Sequence, residues 1–330
     1  MAELESDSVD AILTDPPYGI NFENQRWDSA AIRETAALAG HERLSPNEAF
    51  GVWSQMWASE CRRVMKPGAF LAAFGSRRTS HRLACGIEDA GLEIRDTLMW
   101  LYANGVPKSR HYPGGRATTL KPAFEPIVLA RRGLDGTTEE TIARYGTGAL
   151  NTGACGVEGR HPANVLLGHD PSCNEGRCVP GCAVAAADAC VGEGRSARLE
   201  PSRFLYCAKA SRAEREAGCE QLPARSLSFF EHRGKGSKHS ARARNPHPTV
   251  KPLALMQWLV RLLCPPGGLV LDPTMGSGTT GAAAVLEGRR FVGIELDPAY
   301  LEIARARIAH HSPKGVQRPE VGRAPLGRRR

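Results

Sequence analysis

The sequence has no apolar run long enough to span a bilayer, and its first twenty residues carry acidic side chains where an export signal has an apolar core. We therefore predict neither a membrane span nor a secretory leader. Ten cysteines in such a chain predict a reducing, cytoplasmic environment, in which thiols are free or metal-bound rather than bridged. The sequence also lacks an internal repeat and a Gly-Lys-Ser/Thr step, and the second absence excludes a P-loop nucleotide site.

The basic residues are numerous and clustered. The 330 residues carry a net charge of +8, with ordinary hydrophobic (42%) and charged (24%) contents for a globular protein. Residues 201–250 hold ten Lys or Arg against four Glu, and the segment from 313 holds six against one. Clustered cations suit a polyanion such as duplex DNA, whereas the last residues also fit a solvated tail. We predict a basic disordered tail over 312–330.

The tetrapeptide Asp15-Pro16-Pro17-Tyr18 follows the short apolar run Val9–Leu13. This pattern predicts a buried strand that opens into a rigid loop. The prolines supply carbonyl oxygens without N–H groups, so Asp15 and the Pro16 carbonyl can accept both hydrogens of an exocyclic amino group. The Tyr18 ring offers a face on which a base can stack. The alternative is a strand-ending Pro-Pro turn with an aspartate cap.

A glycine-rich loop lies between a predicted strand at Leu269–Leu271 and a predicted helix. Gly276, Gly278 and Gly281 match the GxGxxG fingerprint of dinucleotide-binding domains, which makes a nicotinamide or flavin oxidoreductase an alternative. Only 49 residues follow Gly281, however, and an acid at the strand end, Asp272, would repel a pyrophosphate. Asp272 suits the ammonium group of a methionine moiety. Glu295, nineteen residues after Gly276, suits ribose hydroxyls. We therefore predict S-adenosylmethionine as the ligand.

The order of these two loops resembles that of the β-group DNA amino-methyltransferases, in which the catalytic tetrapeptide precedes the cofactor loop. The resemblance covers roughly residues 7–130 and 245–311, including the lead-in His247–Pro252. It implies an α/β, Rossmann-like methyltransferase fold with a mostly parallel, doubly wound, seven-stranded sheet. We predict a catalytic half over 1–133, an inserted target-recognition region over 134–245 and a cofactor-binding half over 246–311.

The resemblance also implies the reaction and the residues that perform it. The enzyme would transfer a methyl group from S-adenosylmethionine to the amino group of a flipped base. Adenine N6 is preferred to cytosine N4, because a tetrapeptide beginning with Asp is commoner in the adenine enzymes. The implied catalytic residues are Asp15, Pro16, Pro17 and Tyr18. The implied cofactor-binding residues are Asp272, Pro273, Gly276, Ser277, Gly278, Thr279, Thr280, Glu295, Thr249 and Lys251.

Two departures from the family pattern affect these expectations. Thr274 stands where the family usually has Phe, which predicts looser packing of the cofactor. Family members also carry one more strand before the position of Met1, so we expect that the sequence starts too late or is truncated. A catalytically inactive DNA-binding protein is therefore an alternative of another class.

The predicted recognition region contains two further candidate sites. Its cations are expected to contact DNA phosphates, namely Arg233, Lys235, Lys238, Arg242 and Arg244. The cysteines of this region are expected to be scattered free thiols, because their spacing is not that of a standard metal site. The alternative is a structural zinc site formed by His169, Cys173, Cys178 and Cys182. Double-stranded DNA is the predicted partner, while a homodimer and a restriction endonuclease partner are left open.

Overall fold

The computed structural model describes residues 1–102, 109–156, 161–168, 207, 209–226, 242–312 and 320–323. Twelve strands occur in these ranges. They are β1 (Val9–Thr14), β2 (Met65–Phe74), β3 (Leu92–Tyr102), β4 (His111–Tyr112), β5 (Arg116–Ala117), β6 (Phe124–Arg132), β7 (Val165–Gly168), β8 (Arg225–Ser226), β9 (Arg242–Ala243), β10 (Leu269–Asp272), β11 (Arg290–Glu295) and β12 (Glu320–Arg323).

Eight α-helices accompany these strands in the described ranges. They are α1 (Ala30–Leu38), α2 (Pro46–Val64), α3 (Ser80–Asp89), α4 (Thr138–Tyr145), α5 (Arg212–Glu216), α6 (Leu253–Leu263), α7 (Thr279–Leu286) and α8 (Pro298–His311). Local sequence explains their starts. Ser45 and Glu48 form the capping box that begins α2, and the Asp297 side chain accepts from the Ala299 N–H at the start of α8. No helix in the described ranges is long and apolar enough to cross a membrane.

The central sheet has eight strands in the order β12-β11-β10-β1-β2-β6-β3-β7. Strand β6 runs antiparallel to β2 and β3, and the other described pairings in this sheet are parallel. Helices cover both faces of this sheet, so its central strands are buried on both sides. The predicted α/β, mostly parallel, doubly wound fold is therefore confirmed, with one strand more than the resemblance implied.

The site depends on the pairing of β1 with β10 at the middle of the sheet. Ala11 lies beside Val270 and Ile12 beside Leu271, so both strands end at the same edge. Along β1 the side chains alternate: Leu13 packs with α6 and α7 on one face, and Ile12 packs with α2 and α3 on the other. Both residues are completely buried, which fixes the register of the strand.

Two parts of the chain depart from the predicted domain organisation. The first is the predicted insertion, 134–245, two of whose elements belong to the core, since β7 pairs with β3 and α4 packs against β2. The second is the predicted disordered tail. Residues 320–323 form β12, which pairs in parallel with β11, so the prediction of disorder is wrong for these four residues. Both pairings join segments remote in sequence, which local composition does not reveal.

Candidate active site

Hydrogen bonds between the ends of β1 and β10 join the two predicted loops. The Thr14 hydroxyl donates to Asp272 Oδ1 at 2.8 Å, and the hydroxyls of Thr14 and Thr274 lie 2.6 Å apart. Thr274 therefore belongs to the polar network at this edge, where the family pattern has an apolar side chain. The predicted catalytic tetrapeptide follows Thr14 directly, so Asp15 and the glycine loop lie at one edge of one sheet.

Asp15 is the centre of a group of largely buried polar side chains. Its Oδ1 accepts from the Tyr18 hydroxyl at 2.7 Å, and its Oδ2 accepts from Lys251 Nζ at 2.7 Å. A second carboxylate, Glu125 on β6, lies 3.4 Å from the same ammonium. Burial raises the pKa of Asp15, whereas Lys251 opposes that rise. Burial lowers the pKa of Lys251, but the two carboxylates outweigh it and leave that pKa above its usual value.

The loop after the tetrapeptide is held by Asp28, whose carboxylate is completely buried. Its Oδ1 accepts from the backbone N–H groups of Tyr18 and Gly19, the latter at 2.7 Å. Its Oδ2 accepts from those of Ile20 at 3.1 Å and Phe22 at 2.7 Å. Four donors satisfy one buried charge, so Asp28 determines the path of the backbone that carries the Tyr18 ring.

The glycine loop is tightly packed against its surroundings. Gly276 has φ +52°, and a Cβ there would lie 2.6 Å from His247 Nε2. Gly278 has φ +78°, and a Cβ there would lie 2.8 Å from the Ala304 backbone. These positions require glycine for both conformation and space. From α8, the buried Arg307 donates to the Ser277 carbonyl at 2.8 Å and fixes the loop from below.

Carboxylates dominate the electrostatics beside this loop. Asp272 accepts from the Thr280 hydroxyl at 2.5 Å as well as from Thr14, and burial raises the pKa of Asp272 to about 7. Glu295 accepts from the Gly276 N–H at 2.9 Å, and burial raises the pKa of Glu295 too. His247 is uncharged near neutral pH, because burial lowers the pKa of its imidazole to about 3.

Two cavities meet at Asp15. A cavity of about 280 Å³ lies over the glycine loop and is lined by Asp272, Glu295 and His247. A cavity of about 620 Å³ lies on the other side and is lined by Tyr18 and Glu125, among others. Four residues line both cavities: Asp15, Trp27, Thr249 and Lys251. The arrangement can hold two ligands whose reacting atoms meet at the shared wall.

Comparison with known proteins identifies the family. Residues 9–306 match the family model described as DNA methylase, which covers most of the chain. The chain belongs to this DNA methylase family. The predicted DNA methyltransferase activity, with adenine N6 or cytosine N4 as the acceptor class, is thereby confirmed at the level of the family.

Individual relatives are distant but cover nearly the whole chain. Type II methyltransferase M.HindIII of Haemophilus influenzae is 23% identical over 347 aligned positions, which cover 93% of this chain and 91% of that protein. Type II methyltransferase M.HpaI of Haemophilus parainfluenzae is 23% identical over 309 positions, covering 93% of this chain and 70% of that protein. The solved structure of the cytosine-N4-specific PvuII DNA methyltransferase shares the fold, with a TM-score of 0.52 and 15% identity over 96% of this chain and 84% of that one.

Most of the predicted site residues of this DNA methylase lie around the two cavities. The tetrapeptide lines one or both of them, and so does each predicted cofactor-binding residue except Gly278, whose φ angle shapes the loop. Lys251 was predicted only as a cofactor-binding residue, but its ammonium binds Asp15. Sequence reasoning missed Asp28, Glu125 and Arg307. Glu125 is the second residue of β6, whereas Asp28 and Arg307 carry no sequence signal of their role.

The candidate DNA and zinc residues fall mostly elsewhere. Arg242 Nη2 donates to the Ala224 carbonyl at 2.9 Å, and the Arg244 guanidinium lies 3.8 Å from Glu216. Among the residues described, no group of His, Cys, Asp or Glu could hold a metal ion. The remaining candidates lie outside the described residues: Arg233, Lys235, Lys238, His169, Cys173, Cys178 and Cys182.

Replacing Asp28 by Asn should destabilise the protein and reduce its activity. The amide keeps one acceptor oxygen and presents donors to backbone N–H groups, so we expect a loss of about 2–4 kcal/mol in the free energy of unfolding. Urea denaturation measures this loss. The exposed Asp89→Asn variant is the control and should change stability by less than about 0.5 kcal/mol. Equal stability of the two variants would contradict the role given to Asp28.

Replacing Asp272 by Asn should change the pH dependence of stability. Because the folded pKa of about 7 exceeds the ordinary aspartate pKa of 3.8, the native state holds the proton to higher pH than the unfolded state does. Between about pH 4 and pH 7 this carboxyl therefore destabilises the fold increasingly as pH rises. Relative to the wild type, the variant should gain about 1–3 kcal/mol between pH 5 and pH 8 in denaturation experiments. If the difference in unfolding free energy between the variant and the wild type did not change with pH, the pKa of Asp272 would not be raised by folding.

Proposed function

We propose that this protein methylates the exocyclic amino group of a base extruded from duplex DNA, with S-adenosylmethionine as the donor. The donor would occupy the smaller cavity and the base the larger one. The observation that carries the proposal is the shared wall at Asp15, where two bound ligands would come into contact. Adenine N6 is the preferred acceptor, and cytosine N4 is the alternative.

The charge of the smaller cavity supports S-adenosylmethionine over a dinucleotide. Asp272, Glu295 and Asp297 all line it, together with an uncharged His247. A pyrophosphate would be repelled by these carboxylates, whereas an ammonium and a sulfonium would be attracted. Asp272 would hold the ammonium group and Glu295 the ribose hydroxyls. When bound, S-adenosylmethionine supplies an electrophilic methyl group.

The larger cavity has the chemistry expected for a nucleobase beside a phosphate backbone. Aromatic side chains line it, among them Tyr18, Trp100 and Tyr102. Lys209 lies over the Tyr102 ring, with its Nζ 3.8 Å from the ring centre. The exposed Arg77 belongs to the same lining and faces solvent. Aromatic faces suit stacking on a flipped base, and exposed cations suit phosphates.

Asp15 and the Pro16 carbonyl position the acceptor nitrogen. Each would accept one hydrogen of the amino group, which aims the nitrogen lone pair towards the smaller cavity. Positive charge develops on this nitrogen as the methyl group is transferred, and the Asp15 carboxylate stabilises it. Tyr18 would stack on the base. The rate gain therefore comes from orientation and electrostatics, without a covalent intermediate on the protein.

The type of methyltransferase and its partners also belong to this proposal. Two relatives are named Type II methyltransferases, and we propose the same type here. The cytoplasmic location, a homodimer and the structural zinc site stay predictions. Methylome sequencing of a host that expresses the chain would give its recognition sequence. Mass spectrometry of digested DNA would distinguish N6-methyladenine from N4-methylcytosine.

Replacing Asp15 by Ala should abolish most methyl transfer without preventing cofactor binding. The variant loses the acceptor for the amino group, so we expect a decrease of at least about 100-fold in the single-turnover rate. Affinity for S-adenosylmethionine, measured by calorimetry, should change less than about threefold because Asp272 and Glu295 remain. Normal turnover in this variant would refute the proposed function.

Replacing Arg77 and Arg78 together by Gln should weaken DNA binding with little dependence on its sequence. Both side chains are exposed beside the larger cavity, so each would release counterions from the phosphates. The plot of log affinity against log salt concentration should become shallower by about one to two units. Arg62→Gln, at the far end of α2, is the control. An unchanged slope in the double variant would exclude this face as the DNA contact.

A further inference from the structure

Internal donors occupy both oxygens of the Asp15 carboxylate. The Tyr18 hydroxyl lies 2.7 Å from Oδ1, and Lys251 Nζ lies 2.7 Å from Oδ2. The proposed function requires the amino group of the base to donate to this same carboxylate. An ammonium and an amino group are both N–H donors of similar size. Lys251 therefore makes, in the free protein, the hydrogen bond that the substrate must make during the reaction.

Lys251 cannot give up Asp15 unless another acceptor receives it. Its side chain is only 7% exposed, and its Nζ lies 4.7 Å from the centre of the Phe74 ring. A buried ammonium without a counter-ion is strongly destabilising, so displacement into an apolar wall is excluded. The acceptor must lie within reach and must itself carry a negative charge.

Glu125 meets both requirements. Its Oε2 lies 3.4 Å from Lys251 Nζ and 3.3 Å from the Tyr18 hydroxyl, the two groups that now bind Asp15. It sits near the start of β6, opposite Trp100 of β3, and lines the larger cavity. Its side chain is 21% exposed, so it can rotate towards either donor. The same carboxylate is thus a second acceptor for both donors that now bind Asp15.

We infer that Glu125 is a positioning residue for methyl transfer, which accepts Lys251 when the target amino group takes the place of that ammonium at Asp15. This inference rests on the proposed function. Lys251 holds the place of the amino group in the free protein and moves to Glu125 as the base enters. No covalent bond is made or broken in this exchange.

The balance of charges favours such an exchange. Two carboxylates and one ammonium have a net charge of −1 before and after it, so no unpaired buried cation arises. What changes is which carboxylate lies closer to the ammonium. The 2.7 Å contact with Asp15 is given up and the 3.4 Å contact with Glu125 shortens, which leaves the charge of Asp15 to the nitrogen on which positive charge develops. The exchange therefore couples base entry to the charge arrangement that methyl transfer needs.

The Glu125→Gln variant tests this inference. Without the second negative charge Lys251 stays at Asp15 and competes with the base. We expect a fall of about tenfold or more in the single-turnover rate at saturating DNA, with the affinity for S-adenosylmethionine changed less than about twofold. Glu93→Gln is the matched control, because Glu93 is an exposed glutamate on the neighbouring β3.

A double variant separates exchange from simple structural support. Lys251→Met removes the competing ammonium, so Glu125→Gln with Lys251→Met should be at least about threefold faster than Glu125→Gln alone. The rates are compared at pH 8.5, because burial raises the pKa of Asp15 and the carboxylate must be ionised. If Glu125→Gln does not fold, Glu125→Asp replaces it. The shorter side chain should also slow methyl transfer, and Lys251→Met should again restore part of the lost rate.

Each outcome decides between these roles. A Glu125→Gln rate equal to that of Glu93→Gln overturns the inference, and so does a loss that Lys251→Met does not relieve. If Glu125→Asp is the variant used, a rate equal to the wild type has the same meaning. A wild-type protein that transfers no methyl group to DNA contradicts the proposed function itself. An active wild type with an unaffected Glu125 variant contradicts this inference alone.

Discussion

The parallel pairing of β1 with β10 is the constraint on which the site depends. It brings Thr14 to Asp272, 258 positions away in sequence, and the Thr14 hydroxyl donates to that carboxylate at the common edge. A slip of one residue would turn Leu13 and Ile12 to the wrong faces, and both are completely buried. Core packing on two faces thus fixes, within one residue, where Asp15 lies relative to the glycine loop. The precision of the site comes from the sheet rather than from the loops.

The two cavities differ in charge although they share a wall. Asp272 and Glu295 line the smaller one with carboxyl groups, whose ionised forms a cationic ligand would favour. Exposed cations such as Arg77 border the larger one, which suits a polyanion with an apolar base. Asp15 and Lys251 lie in the wall between the two cavities. A single sheet edge can therefore bind a cation and a polyanion, because each ligand meets protein charges of the opposite sign in its own cavity.

Local sequence patterns indicate the strands, helices and motifs around the site. The features that they do not indicate depend on contacts between segments far apart in sequence. The apolar run before Asp15, the capping box of α2 and the loop around Gly276 each carry their signal within a few residues, so strands, helices and both motifs were predictable. The pairing of β7 with β3 and the placement of Glu125 beside Lys251 depend on segments far apart in sequence. Asp28 acts through backbone N–H groups, which every residue but proline possesses, so its sequence context gives no indication.

The buried carboxylate of Asp272 links stability to ligand binding. Burial makes its ionised form unfavourable in the free protein, and hydroxyls of Thr14 and Thr280 compensate only in part, since the pKa still rises to about 7. A bound ammonium would supply the missing counter-charge. Because the desolvation cost of Asp272 arises during folding, it does not recur on binding, and the cation gains the full electrostatic attraction. The same reasoning applies to Asp15, where Lys251 supplies the counter-charge from within the chain. In the proposed function, one carboxylate therefore binds an external cation, while the other already has an internal cation that the substrate displaces.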